Sequence, residues 1–81
     1  MQTGIVEVDL HGMNTYQAKI TIDSKLKQAR GGTYRLRLIH GYHSGTALRD
    51  MIRETYRSHP RVLRLEMGLN PGETDLVLRE F

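Results

Sequence analysis

Twice in this chain an alternating apolar run ends at a His-Gly pair and gives way to a helical repeat, first at Val8-Asp9-Leu10-His11-Gly12 and again at Leu38-Ile39-His40-Gly41. This duplication constrains the fold more than any other feature. Strand, helix, strand in succession within one sheet means parallel pairing through a right-handed crossover. The first strand covers Ile5 to Leu10, with Val6, Val8 and Leu10 on one side and Glu7 and Asp9 on the other, the period-two pattern of a half-covered strand. Asn14 and Gln17 have the spacing of a capping box, with Met13 and Ala18 placed as its staple, so a helix is expected from Thr15. Its buried stripe is Ala18, Ile22, Leu26 and Ala29, which leaves Ile20 exposed. Gly31-Gly32, which tolerate positive φ, are expected to stop it.

Tyr34 to Ile39 forms the second strand, with Tyr34, Leu36 and Leu38 opposed to Arg35 and Arg37. Thr46 is expected to cap a second helix that buries Leu48, Met51, Ile52 and Tyr56. Arg49, Arg53 and Arg57 run beside that stripe, with Asp50 and Glu54 near enough to pair with them. Ser58-His59-Pro60 ends the helix, and His59 is placed to cap it against the dipole. Val62 to Met67 and Thr74 to Phe81 read as two further strands, joined through Gly68-Leu69-Asn70-Pro71-Gly72 as a hairpin. The sum is an α/β two-layer sandwich, β-α-β-α-β-β, with residues 1–81 as one domain. Both helices should cover one face of a four-stranded mixed sheet, and the other face, carrying Arg35, Arg37, Arg64, Glu66 and Arg79, should be polar.

Lys and Arg number 12 against 9 Asp and Glu, a net charge of +3, which favours an anionic partner and puts nucleic acid first. The absence of cysteine removes disulfides, thiol catalysis and thiolate metal sites, and fits a reducing compartment. No apolar run approaches the ~18 residues that span a bilayer, and the N-terminus lacks the pattern of a secretory signal. A cytoplasmic protein with no membrane partner is the expectation.

The two His-Gly pairs close parallel strands and precede helices, so they should share one rim. Ligands of open sheets sit beyond the carboxyl ends of the strands, where helix N-termini favour anions. Gly12 and Gly41 would let a phosphate approach the backbone, Tyr42, His43, Ser44 and Gly45 would line the loop, and Arg49 stands one turn into the helix. Such a group supports phosphodiester cleavage: one imidazole takes a proton from the nucleophile while another gives one to the leaving oxygen. Asp9, His11 and His40 are the candidate catalytic residues, Asp9 lying two residues from His11 on the same strand face and so able to orient it. RNA supplies its own 2′-hydroxyl nucleophile and needs no metal; with DNA, water attacks and a divalent ion becomes useful. The chain lacks the clustered carboxylates of a two-metal nuclease, H-E-x-x-H and a phosphate loop, so no fixed metal and no other cofactor is expected.

These residues resemble the Smr, or small MutS-related, domain over nearly the whole chain. The family's opening L-D-x-H-G motif matches Val8 to Gly12, its H-G-x-G with a following L-R matches His40, Gly41, Leu48 and Arg49, and its closing glycine and threonine match Gly72 and Thr74. The second glycine of H-G-x-G is His43 here, the loop is one residue longer, and Asn70-Pro71 replaces part of a glycine-rich turn. The resemblance implies strand order 1-2-4-3 and nucleic-acid binding. In some members it implies endonuclease activity on DNA or RNA, with roles in DNA repair, recombination or RNA processing. The alternative on the same fold is a module that holds structured nucleic acid or ribosomal RNA and cleaves nothing.

Overall fold

The computed structural model describes residues 4–29, 31–41, 46–67 and 70–80. Its elements are β1 (Ile5–Asp9), α1 (Thr15–Gln28), β2 (Arg35–Ile39), α2 (Thr46–Tyr56), β3 (Arg64–Met67) and β4 (Glu73–Val77). β1 and β2 pair in parallel with Asp9 opposite Ile39, β4 runs antiparallel to β2 with Asp75 opposite Arg37, and β3 closes the sheet beside β4, giving the order β1-β2-β4-β3. β3 begins later and β4 ends sooner than the alternation of apolar residues suggests, although single bonds continue the ladder. Leu63 N–H reaches Val77 O at 2.8 Å, and Leu78 N–H reaches Tyr34 O at 2.8 Å.

The start of α1 is set locally. Asn14 Oδ1 accepts from Gln17 N–H at 2.8 Å while Gln17 Oε1 accepts from Asn14 N–H at 3.1 Å, so two otherwise unpaired donors satisfy each other's residues. Ala18, Ile22 and Leu26 face the sheet and are buried, and Ile20 is exposed. Its end differs from expectation. The helix stops at Gln28, ahead of the two glycines, because Ala29 turns to extended backbone, its N–H bonds Leu26 O at 3.3 Å, and the Arg61 guanidinium donates to its carbonyl at 3.3 Å. A distant side chain caps the helix, and neither Gly31 nor Gly32 takes positive φ.

In α2, Leu48, Ile52 and Tyr56 are buried and Met51 packs at the edge of the core. Thr46 is the first helical residue of α2 and not the cap expected of it. His59 N–H bonds Tyr56 O at 3.2 Å, but its imidazole Nδ1 accepts from Arg61 N–H at 3.1 Å, so the ring holds the following turn and not the helix end. The Tyr56 phenol donates to Asp23 Oδ1 at 2.6 Å, tying α2 to α1. Burial, and then the Asp23 carboxylate, pushes that phenol well above its ordinary range. Burial also acts to raise Asp23, but hydrogen bonds from Lys19 and Tyr56 outweigh it and hold the carboxyl low.

Val8, Leu10, Leu36, Leu38 and Leu76 supply the sheet side of the core beneath both helices. The opposite face is polar as expected, and it is organised around Asp75, which is only 2% exposed. Arg35 Nη1 lies 2.7 Å from Asp75 Oδ2 and 2.9 Å from Glu66 Oε1, and Arg37 grips both Asp75 oxygens at 3.2 Å. Arg64 joins Glu66 at 2.8 Å and Glu80 at 2.7 Å. Hydrogen bonds to these carboxylates raise all three arginines, and Arg64, then Arg35, holds Glu66 below the usual carboxylate range.

Candidate nucleic-acid interface

β1 and β2 finish side by side, because Asp9 pairs with Ile39 and Leu10 N–H bonds Ile39 O at 2.8 Å. The two His-Gly pairs therefore leave the sheet at one rim. Gly12 has φ +81° and Gly41 φ +73°, with open space where a Cβ would stand, so it is backbone conformation and not crowding that favours glycine at both.

At the end of β1, Asp9 Oδ1 accepts from the His11 N–H at 3.1 Å and from His11 Nδ1–H at 2.6 Å. His11 lies in the turn just beyond β1, not on the strand as its spacing suggested, and the chain folds back there as an Asx-turn, which lets one carboxylate oxygen take both donors. An ionised carboxylate can only accept, so the proton sits on Nδ1. Nε2 is then the working nitrogen, and it has no partner among the described residues. Both side chains are exposed, Asp9 by 57% and His11 by 76%. Asp9 raises the imidazole above its ordinary value by hydrogen bond and charge, and His11 lowers the carboxyl in return.

His40 is built differently. Its ring is buried, with Nδ1–H donating to Gly41 O at 2.8 Å and Nε2 facing the Thr74 hydroxyl at 2.9 Å. The N–H groups of His40 and Gly41, expected to point at an anion, both donate to Gly72 O, at 2.9 and 3.0 Å. Gly72 is itself set by Asn70, whose side chain accepts from Gly72 N–H at 2.9 Å and whose carbonyl accepts from Glu73 N–H at 3.0 Å. A Cβ on Gly72 would come within 3.2 Å of Gly41 Cα. His40 thus fastens β2 to β4, and of the two imidazoles His11 and His40 only that of His11 faces solvent. The closing Gly72 and Thr74 pattern was the sequence signal for this clasp, although nothing local linked it to a histidine 34 residues earlier.

Arg49 lies one turn into α2, partly exposed, with Nε 3.6 Å from Asp50 Oδ1, beyond hydrogen-bond length. Tyr42, His43, Ser44 and Gly45 lie outside the described residues. Among the described residues no three His, Asp or Glu side chains gather into a cation site, and no helix is long and apolar enough to cross a membrane.

The family model of the Smr domain matches residues 8–73. Two curated relatives are similar to the chain. Endonuclease MutS2 of Thermus thermophilus is 44% identical over 59 residues, 72% of this chain and 8% of that protein. Endonuclease MutS2 of Clostridium botulinum is 37% identical over 62 residues, 75% of this chain and 8% of its own length. The chain therefore spans only a small part of either. The crystal structure of the Smr domain of Thermus thermophilus MutS2 superposes with a TM-score of 0.83 at 38% identity, covering 93% of this chain and 99% of that one.

Proposed function

This chain belongs to the Smr domain family, and on that premise we propose that it binds nucleic acid at the β1–β2 rim and cleaves a phosphodiester bond there with the Asp9–His11 pair. The observation that carries the reading is the exposed imidazole whose Nδ1 is held by a carboxylate at 2.6 Å. Such a ring keeps one tautomer, so Nε2 can take a proton from the attacking oxygen, and Asp9 stabilises the imidazolium that results. With RNA the attacker is the 2′-hydroxyl; the new bond forms to phosphorus, the bond to the 5′-oxygen breaks, and that oxygen receives a proton from His11 or water. With DNA water attacks, and a divalent ion would help activate it. Arg49 supplies positive charge toward the phosphate, and His40, acting through Thr74 and Gly72, is a positioning residue for the strand end and not a proton carrier. Support also comes from two relatives that bear the name endonuclease.

One observation favours a second reading, a module that grips structured nucleic acid without cutting it: burial of His40 leaves His11 as the one free imidazole at the rim among the described residues, where acid and base were both wanted. Labelled RNA and linear or branched DNA, incubated with and without a chelator, separate the two. Cleavage by the wild type that disappears in His11→Ala while binding persists supports the enzyme, and Arg49→Ala should weaken both. Binding without cleavage on every substrate establishes the module. Unchanged affinity in both variants places the site elsewhere.

A further inference from the structure

The arginines of the two faces differ in one respect. On the open sheet face Arg35, Arg37 and Arg64 are each held by carboxylates at 2.7–3.2 Å, so the charge of these three is committed within the face. Arg53 on α2 and Arg57 in the turn just past its end have no carboxylate partner among the described residues. Arg49 and Arg53 stand four residues apart on α2, about 6 Å along its axis and close to the step between successive phosphates of one strand, and Arg57 follows in the turn just past the helix. Arg53 and Arg57 also wall a groove of about 340 Å³ between α2 and the edge strand β3, completed by Leu65, Glu66, Met67 and Thr74.

Each remaining wall suits a polynucleotide strand. Glu66 does not oppose an anion, because Arg35 and Arg64 already neutralise it at 2.9 and 2.8 Å. Met67 is 65% exposed, an unusual position for a large apolar side chain at a strand end, and its sulfur accepts from Arg53 Nη2 at 2.8 Å. The thioether is a weak acceptor and takes one guanidinium N–H, so it does not neutralise the charge of Arg53. Apolar side chains beside aimed cations match a strand whose bases are unstacked and can lie against them, whereas a duplex hides those faces and presents phosphate alone.

We propose that the groove between α2 and β3 is a track for the backbone of a single-stranded segment leaving the rim, with Arg53 and Arg57 on successive phosphates and Met67 against a base. The inference rests on the nucleic-acid reading above and extends it away from Asp9 and His11. The test compares a labelled oligonucleotide of about eight nucleotides, single-stranded and annealed, across a salt series with the whole chain. Each single-strand phosphate contact contributes about 0.7 to the slope of log affinity against log salt. Arg53→Gln/Arg57→Gln should therefore flatten that slope by about 1.4 and cut the affinity loss between about 50 and about 200 mM salt by about sevenfold. Lys25→Gln/Lys27→Gln removes the same charge from α1 and should leave the slope unchanged, and circular dichroism should show all variants folded. Met67→Ala should weaken the single strand and spare the duplex. A slope unaltered in the arginine variant, while the wild type binds, overturns the track and leaves the rim proposal intact. Equal losses on duplex and single strand, or an equal effect of the lysine variant, also overturn it. A wild type that binds neither oligonucleotide removes both proposals.

Discussion

Thr74→Val isolates the clasp that sets the rim. Valine keeps the volume and branching of threonine, so the substitution deletes one hydroxyl, 3% exposed as a residue and 2.9 Å from a ring nitrogen that is itself buried. Gly41 O can only accept, which puts the proton on Nδ1, so in the neutral ring Nε2 takes its hydrogen bond from Thr74. Without it a buried acceptor is left unsatisfied, at a cost of about 1–3 kcal/mol. For a domain of this length each kcal/mol moves Tm by about 4–8 °C, so thermal melting should fall by roughly 5–20 °C. The loss should also be local. Amide exchange at His40 and Gly41, whose N–H groups share Gly72 O, should accelerate more than exchange in α1. Thr74→Ser, which retains the hydroxyl, should keep the ¹⁵N shifts of the His40 ring. A Thr74→Val protein that melts within about 2 °C of wild type, with unchanged exchange at the rim, refutes the clasp.

The Asp9–His11 pair should stabilise the fold most in mildly acidic solution. The raised His11 contributes fully below its unfolded value of 6.5 and loses that contribution as pH rises through the folded value; the lowered Asp9 contributes above 3.8 and loses it as pH falls through its folded value. The melting difference between wild type and Asp9→Asn should therefore peak between those values and shrink on both sides, and a difference that grows above neutrality contradicts the pairing. Gly12→Ala should cost about 1–2 kcal/mol from positive φ alone, because nothing crowds its Cβ. Gly4→Ala should cost more, since a Cβ there would lie 2.5 Å from the Tyr34 ring and 2.9 Å from Gly32 O; equal denaturation midpoints would overturn that distinction. Asp75→Ala should destabilise by about 2–3 kcal/mol in urea unfolding, less than the loss of a fully buried partner because Arg35 and Arg37 keep some solvent.

The parts of this fold that were legible in the sequence are the parts that short-range chemistry decides. Asn14 and Gln17 meet within one turn, so their spacing alone located the start of α1, and period-two alternation placed Leu36 and Leu38 inward and Arg35 and Arg37 outward. The opposite end of α1 was misread because Arg61, 32 residues away, satisfies Ala29 O and makes a left-handed glycine unnecessary. The strand order came from family resemblance, since periodicity does not say which edge of β2 receives β4. The candidate site divides along the same line. Asp9 and His11 are two residues apart, at the end of β1 and in the turn that follows, and their pairing could be read from that spacing, whereas the burial of His40 depends on Thr74 arriving through the antiparallel β2–β4 ladder. The centre of the polar face was hidden for a like reason: Asp75 looks like any strand carboxylate until Arg35 and Arg37 close over it.

The most direct test of the account is a proton NMR titration of the His11 imidazole, free and with a short oligonucleotide, in wild type and Asp9→Asn. The midpoint should lie above the ordinary 6.5, rise further with the bound phosphodiester and fall when the carboxylate is replaced. A midpoint at the ordinary value that responds neither to Asp9→Asn nor to the oligonucleotide contradicts it.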